Sequence, residues 1–151
     1  ETDDFTVLKG VEIRFKGIDN DYLVFGADKQ FYLDHPDITE TSLEEFRKVI
    51  NEYGDILIFQ AHPFRNGMFV KQPGIVDGIE VYNGHGNHDS RNDIARMWAE
   101  KYGFRMLSGS DFHGVLTMGP GGVYFDEYYT DSKQVAKALR EGKYSLKIFE
   151  E

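Results

Sequence analysis

Carboxylates and imidazoles recur in this sequence where apolar, strand-like runs stop. Glu12 stands near the end of the first such run, and His62-Pro63 follows the run Ile56 to Ala61. Asp111 and His113 lie just beyond Phe104 to Leu107. In parallel α/β folds the C-terminal ends of strands are where ligands bind and catalysis happens. Carboxylate and imidazole without thiolate suit Zn, Mn or Fe better than Ca. A single His after a strand is more often a hydrogen-bonded loop residue than a ligand. Four such groups at three successive strand ends weigh toward a metal, and the residues alone leave both readings open.

Other polar residues carry weaker signals. Arg65, in Phe64-Arg65-Asn66-Gly67, directly follows His62-Pro63, which would put a guanidinium beside the metals. Its fork can donate two parallel hydrogen bonds to one phosphoryl group, and a surface salt bridge is the competing reading. Glu80 lies inside a strand and could orient a ligand His from behind, or simply be salt-bridged. Asn83, His85 and His88 share a glycine-containing loop at a strand end, where a plain turn competes with contact to substrate or metal. His35-Pro36 falls in an acidic loop and reads as exposed. Gly119-Pro120-Gly121-Gly122 resembles a phosphate loop, but it leads into a strand and lacks the P-loop Lys, so it reads as a turn.

The elements that must position these groups alternate along the chain. Phe5 to Phe15 reads as a strand broken at Gly10, and Tyr22 to Phe25 as a second strand. Ser42-Leu43-Glu44-Glu45 has the form of a capping box, with Leu43, Phe46, Val49, Ile50 and Tyr53 at helical spacing and Gly54 as the stop. Ile56 to Ala61 is apolar without alternation, as expected for a strand covered on both faces. Gly78 to Tyr82 is a strand, Asp89 or Ser90 caps a helix through Trp98 and Tyr102, and Phe104 to Leu107 follows as a strand. Val123 to Phe125, a helix capped by Asp131 or Ser132, and a strand over Tyr144 to Phe149 complete the series. This is α/β grammar with a largely parallel sheet.

Composition bounds the function. The chain has 151 residues with 26 acidic and 17 basic side chains, for a formal charge of -9. That balance argues against coating duplex nucleic acid, which needs clustered Lys and Arg, and against anionic membrane surfaces. Hydrophobic residues make up 40%, enough for a core, and the absence of Cys excludes disulfides, thiolate metal sites and thiol catalysis. No apolar run is long enough for a membrane span. The expectation is a soluble, cytoplasmic domain. A closed (β/α)₈ barrel usually needs about 250 residues, so three helices mean either an open sheet or part of a barrel.

Four segments resemble, in order and spacing, the motifs of the PHP (polymerase and histidinol phosphatase) family: Gly10-Val11-Glu12-Ile13, Ala61-His62-Pro63, Gly78-Ile79-Glu80-Val81-Tyr82-Asn83 and Gly109-Ser110-Asp111-Phe112-His113. The resemblance implies a distorted (β/α)₇, TIM-like barrel, here partial, with up to three divalent metals at its strand ends. It implies that Glu12 bridges two metals, that His62 ligates the second and Asp111 the first, and that His113 belongs to a third site. Asp21 stands where the family often has a His, as a further candidate ligand. The family's His-x-His and Asp/Glu-His motifs precede the Gly-x-Glu strand and have no counterpart before Glu12. Residues 1–151 therefore read as the C-terminal part of a PHP-like domain, metal-poor and inactive by itself and a phosphoesterase when complete.

The function implied is hydrolysis of a phosphate ester by metal-activated water, with a small phosphorylated substrate such as a nucleotide or sugar phosphate. Arg65, Glu80 and His85 are the candidate catalytic residues. Two alternatives are another barrel metallohydrolase of amidohydrolase type and a non-catalytic PHP-like scaffold. The Asp21 replacement favours the scaffold.

Overall fold

A computed structural model describes residues 5–115 and 119–149. Its main sheet has five strands in the order β1-β2-β3-β4-β5. β1 (Val11–Arg14) and β2 (Asp21–Phe25) pair antiparallel, because the short link between them leaves no room for a crossover. β2 also pairs antiparallel with β3 (Leu57–Gln60). β3, β4 (Gly78–Asn83) and β5 (Arg105–Gly109) then run parallel. Four strands thus share one direction and β2 opposes them. The largely parallel sheet read from sequence holds apart from that one reversal.

The sheet is open, with β1 and β5 at its edges, and no closed barrel forms among the described residues. β6 (Gly122–Tyr124) and β7 (Ser145–Lys147) instead make a separate antiparallel pair. Side chains tie this pair to β5. Ser108 Oγ donates to the Lys147 carbonyl at 2.7 Å and accepts from Gly122 N–H at 3.1 Å, and Tyr144 Oη donates to the Met106 carbonyl at 2.7 Å.

Alternation along the strands builds two cores. Tyr22, Val24, Ile58, Ile79 and Val81 face one side, where they meet α1 (Lys29–Asp34), α2 (Leu43–Tyr53) and α3 (Asn92–Tyr102). Leu57, Phe59 and Leu107 face the other side, against Ala136 and Leu139 of α4 (Ser132–Glu141). Coverage on both faces explains why Ile56 to Ala61 is apolar without a break.

The capping box forms as read: Ser42 Oγ accepts from Glu45 N–H at 3.2 Å, and Glu45 Oε2 accepts from Ser42 N–H at 2.9 Å. Asp131 likewise caps α4. Four details differ from the sequence reading. Of the run Phe5 to Phe15, only Val11–Arg14 forms a strand of the sheet. α1 is a short helix capped by Asp28, and its consecutive Phe31-Tyr32-Leu33 gave no helical spacing. His35 is half-buried, not exposed, because its Nδ1 meets the Phe31 carbonyl at 2.8 Å and its ring packs on Phe31. Neither Asp89 nor Ser90 caps α3; Arg91 stands at its N-cap in the left-handed region, and Ser90 turns toward Arg65 and Asn83. No helix among the described residues is long and apolar enough to cross a membrane.

Candidate metal centre

Strand alternation sends Ile13 and Phe15 into the core and leaves Glu12 and Arg14 on the outer face of β1. Because β2 runs backwards, its first residue, Asp21, lies beside the end of β1, paired in register with Arg14. Arg14 grips Asp21 with both arms of its fork, Nε to Oδ1 at 2.6 Å and Nη2 to Oδ2 at 2.7 Å. That pairing holds the Arg14 guanidinium above its ordinary pKa. His62 follows β3 with φ 27° and is 3% exposed. Its backbone N–H donates to Glu80 Oε2 at 2.8 Å.

The His62 ring meets a chemical requirement that the protein does not fill by itself. Nε2 lies 3.7 Å from Glu12 Oε1 and 3.8 Å from Asp21 Oδ2, beyond hydrogen-bond range, and Nδ1 is buried without a partner. One donor atom from each of Glu12, Asp21 and His62 lies within 4.8 Å of the others. Bonds of about 2.0–2.2 Å from an imidazole nitrogen and a carboxylate oxygen to one ion span the 3.7 and 3.8 Å gaps. The triad therefore fits a divalent cation, with the carboxylate charge of Asp21 already shared with Arg14.

A second group of polar residues comes from the exits of β4 and β5. Arg65 Nη2 donates to Asp111 Oδ2 at 2.8 Å, Asn83 Oδ1 at 3.0 Å and Ser90 Oγ at 3.1 Å. Burial pushes the Asp111 carboxyl upward, and the bond and charge of Arg65 more than reverse this, leaving it below its ordinary range. The charge of Arg65 is also the largest cause holding the His88 imidazole below its ordinary pKa. One donor atom each from His85, Asp111 and His113 again lies within 4.8 Å of the others. His62, Asp111 and Arg91 are the non-glycine residues with positive φ among the described residues, and the first two are candidate ligands. Backbone strain of this kind concentrates at functional sites.

Both groups line one cleft of about 740 Å³. Four of the five histidines stand in it. Glu12, Asp21, His62, Arg65, His85, Asp111 and His113, all singled out from sequence, reach it together. Glu80 does not. It is 3% exposed beneath the cleft, where Oε2 holds the main chain of His62 and accepts from Asn83 Nδ2 at 3.0 Å. Burial raises its carboxyl pKa, and those two donors pull it partway back. Sequence reasoning missed Arg14 and the inward turn of Ser90. The alternation Glu12-Ile13-Arg14 was the available signal for Arg14. Ser90 had none, since a serine before a helix reads as a cap.

A family model described as PHP-associated matches residues 89–144, the stretch that carries α3, β5 and Asp111-Phe112-His113. No curated protein matches the chain. That match, beside ordered motifs of which Glu12, His62, Asp111 and His113 converge on one cleft, supports a PHP-family domain.

Proposed function

We propose that this domain takes part in metal-dependent hydrolysis of a phosphate ester, with Glu12, Asp21 and His62 holding a divalent cation. The observation that carries the reading is the convergence of those three donors, from β1, β2 and the exit of β3, with His62 Nε2 facing both carboxylates from beyond hydrogen-bond range. Their oxygen and nitrogen donors suit Mn, Fe or Zn. Such a cation supplies Lewis-acid charge and makes water nucleophilic near neutral pH. The open sheet would be one side of the distorted barrel.

The chain's own residues complete the site. Arg14 and Arg65 bring two guanidinium groups to the cleft, and guanidinium offsets charge that develops on phosphoryl oxygens in the transition state. Arg65 cannot swing freely, because Asn83, Ser90 and Asp111 share one of its nitrogens, so its approach to a phosphate is fixed in advance. Glu80 acts from below, holding the strained main chain that aims His62. His85 stands at the cleft wall for substrate contact, and Asp111 and His113 extend the donor set. A small nucleotide or sugar phosphate matches a cleft of about 740 Å³.

The same arginines support a second reading. Arg14 on Asp21 and Arg65 on Asp111 match two carboxylates with internal cations, as a metal-free binding module would need. Metal content and turnover separate the two readings. The hydrolase reading expects p-nitrophenyl phosphate to be cleaved only with Mn²⁺, Fe²⁺ or Zn²⁺, and His62→Ala to lose both bound metal and activity. A protein that takes up no divalent ion and spares aryl phosphates refutes that reading and leaves the binding module.

A further inference from the structure

We propose that Arg91 is a positioning residue for Arg65: it grips the residues on either side of Arg65 and so aims that guanidinium into the cleft. The proposal rests on the reading of Arg65 as a group that meets a phosphate. Arg91 Nη1 donates to the Phe64 carbonyl and Nη2 donates to Asn66 Oδ1, so one planar fork holds both neighbours of Arg65. Inside that grip the Arg65 N–H donates to the His62 carbonyl at 3.1 Å, which makes the segment a tight turn off the end of β3. Phe64 is fixed a second time where its ring meets Trp98 of α3 at 5.7 Å.

The start of α3 is built around this contact and not around its own cap. An N-cap is ordinarily Ser, Thr, Asp or Asn in extended conformation, with a side-chain oxygen on a free helix N–H. Arg91 stands there at φ 49° and ψ 52°, with no side-chain cap bond. That left-handed conformation disfavours any residue with a Cβ. The residues beside it are engaged in the same two loops. Ser90 Oγ accepts from Arg65 Nη2 at 3.1 Å. Asn92 pairs with both main-chain groups of Asn83, Oδ1 accepting its N–H at 2.9 Å and Nδ2 donating to its carbonyl at 3.1 Å. The Asn83 side chain in turn accepts from Arg65 Nη2 at 3.0 Å. Three consecutive side chains thus hold the turn that carries Arg65 and the strand end that receives its guanidinium. A misplacement of about 1 Å in a group that orients substrate can lower the rate about a hundredfold.

The test uses Arg91→Gly, because glycine accepts the left-handed backbone and only the guanidinium is lost. Arg91→Lys, which keeps the charge but not the fork, is the second variant should glycine loosen the start of α3. Arg65 is followed through its side-chain N–H signals in ¹H–¹⁵N spectra, assigned by their absence in Arg65→Lys. In either Arg91 variant those signals should shift and exchange with water at least about tenfold faster. On p-nitrophenyl phosphate with Mn²⁺, kcat/KM should fall about tenfold to a hundredfold. Adding Arg91→Gly to Arg65→Lys should lower kcat/KM no further, whereas a general structural role would make the two losses multiply. The proposal is overturned if the Arg65 signals are unchanged in Arg91→Gly, or if the losses multiply. If no chain, wild type included, cleaves the ester, the hydrolase reading fails, and the Arg65 signals alone decide the role of Arg91.

Discussion

Replacing Glu80 with Ala removes an acceptor that serves two buried donors at once. In the native protein Oε2 takes the His62 N–H at 2.8 Å and the Asn83 Nδ2–H at 3.0 Å. Each donor left without a partner costs about 1–3 kcal/mol. Relief of carboxylate burial offsets part of that, so Glu80→Ala should lose about 2–4 kcal/mol of unfolding free energy. Glu80→Gln keeps an oxygen at the same place for both donors and should stay within about 1 kcal/mol of wild type at pH 7. The two variants also separate in pH dependence. Burial raises the folded-state pKa of Glu80 above its ordinary 4.5, so the folded state holds this proton more tightly than the unfolded chain. The stabilising contribution is then complete below that ordinary value and is lost as pH rises through the folded-state value. Glu80→Gln has no such proton, so its stability relative to wild type should rise with pH across this window and then level. Urea unfolding read by Trp98, the one Trp, which packs on Phe64 at 5.7 Å, gives both quantities. Equal losses for Ala and Gln would refute the acceptor argument, and parallel pH profiles for Gln and wild type would refute the burial argument.

Asp77 joins α2 to the sheet by taking the Arg47 fork at 2.6 and 3.0 Å and the Ile58 N–H at 2.9 Å, so Asp77→Ala should cost about 3 kcal/mol and lower Tm by about 6–12 °C in a thermal melt. Gly109→Ala would set a Cβ 2.6 Å from Glu80 Oε1 and should lose about 1–3 kcal/mol. Combining it with Glu80→Ala should give a double variant less destabilised than the sum, and strict additivity in the cycle would show that the two residues do not touch. Arg65→Lys keeps a charge but loses the planar fork that can donate two parallel bonds to one phosphoryl group, so kcat/KM on an aryl phosphate should fall about tenfold to a thousandfold with metal content unchanged. Wild-type turnover would confine Arg65 to a structural role.

Local chemistry alone made much of this protein legible. The capping box at Ser42, the apolar spacing of α2, the Asp131 cap of α4 and the unbroken run Ile56 to Ala61 are each decided by neighbours within a few residues, and each appears as read. The candidate ligands were legible for a related reason. Imidazoles and carboxylates just past apolar runs break the pattern of a core, and that break is visible in one dimension. What neighbours in sequence do not decide is direction and pairing. The reversal of β2 depends on which strands it lies between, and it carries Asp21 to the cleft at the start of a strand, where the strand-end rule does not look. The same holds for charges. Arg14 and Arg65 read as generic cations until register and the turn after β3 set one on Asp21 and the other on Asp111, residues 7 and 46 positions away. Ser90 and Glu80 show the limit most clearly, because a serine before a helix and a glutamate inside a strand both have ordinary local uses. Only the packing of β4 against β3, with Gly109 leaving room for the carboxylate, turns Glu80 under His62, and the pull of Arg65 and Asn83 takes Ser90 from its helix. Spacing along the chain selects elements and donor types; long-range contact decides which donors meet.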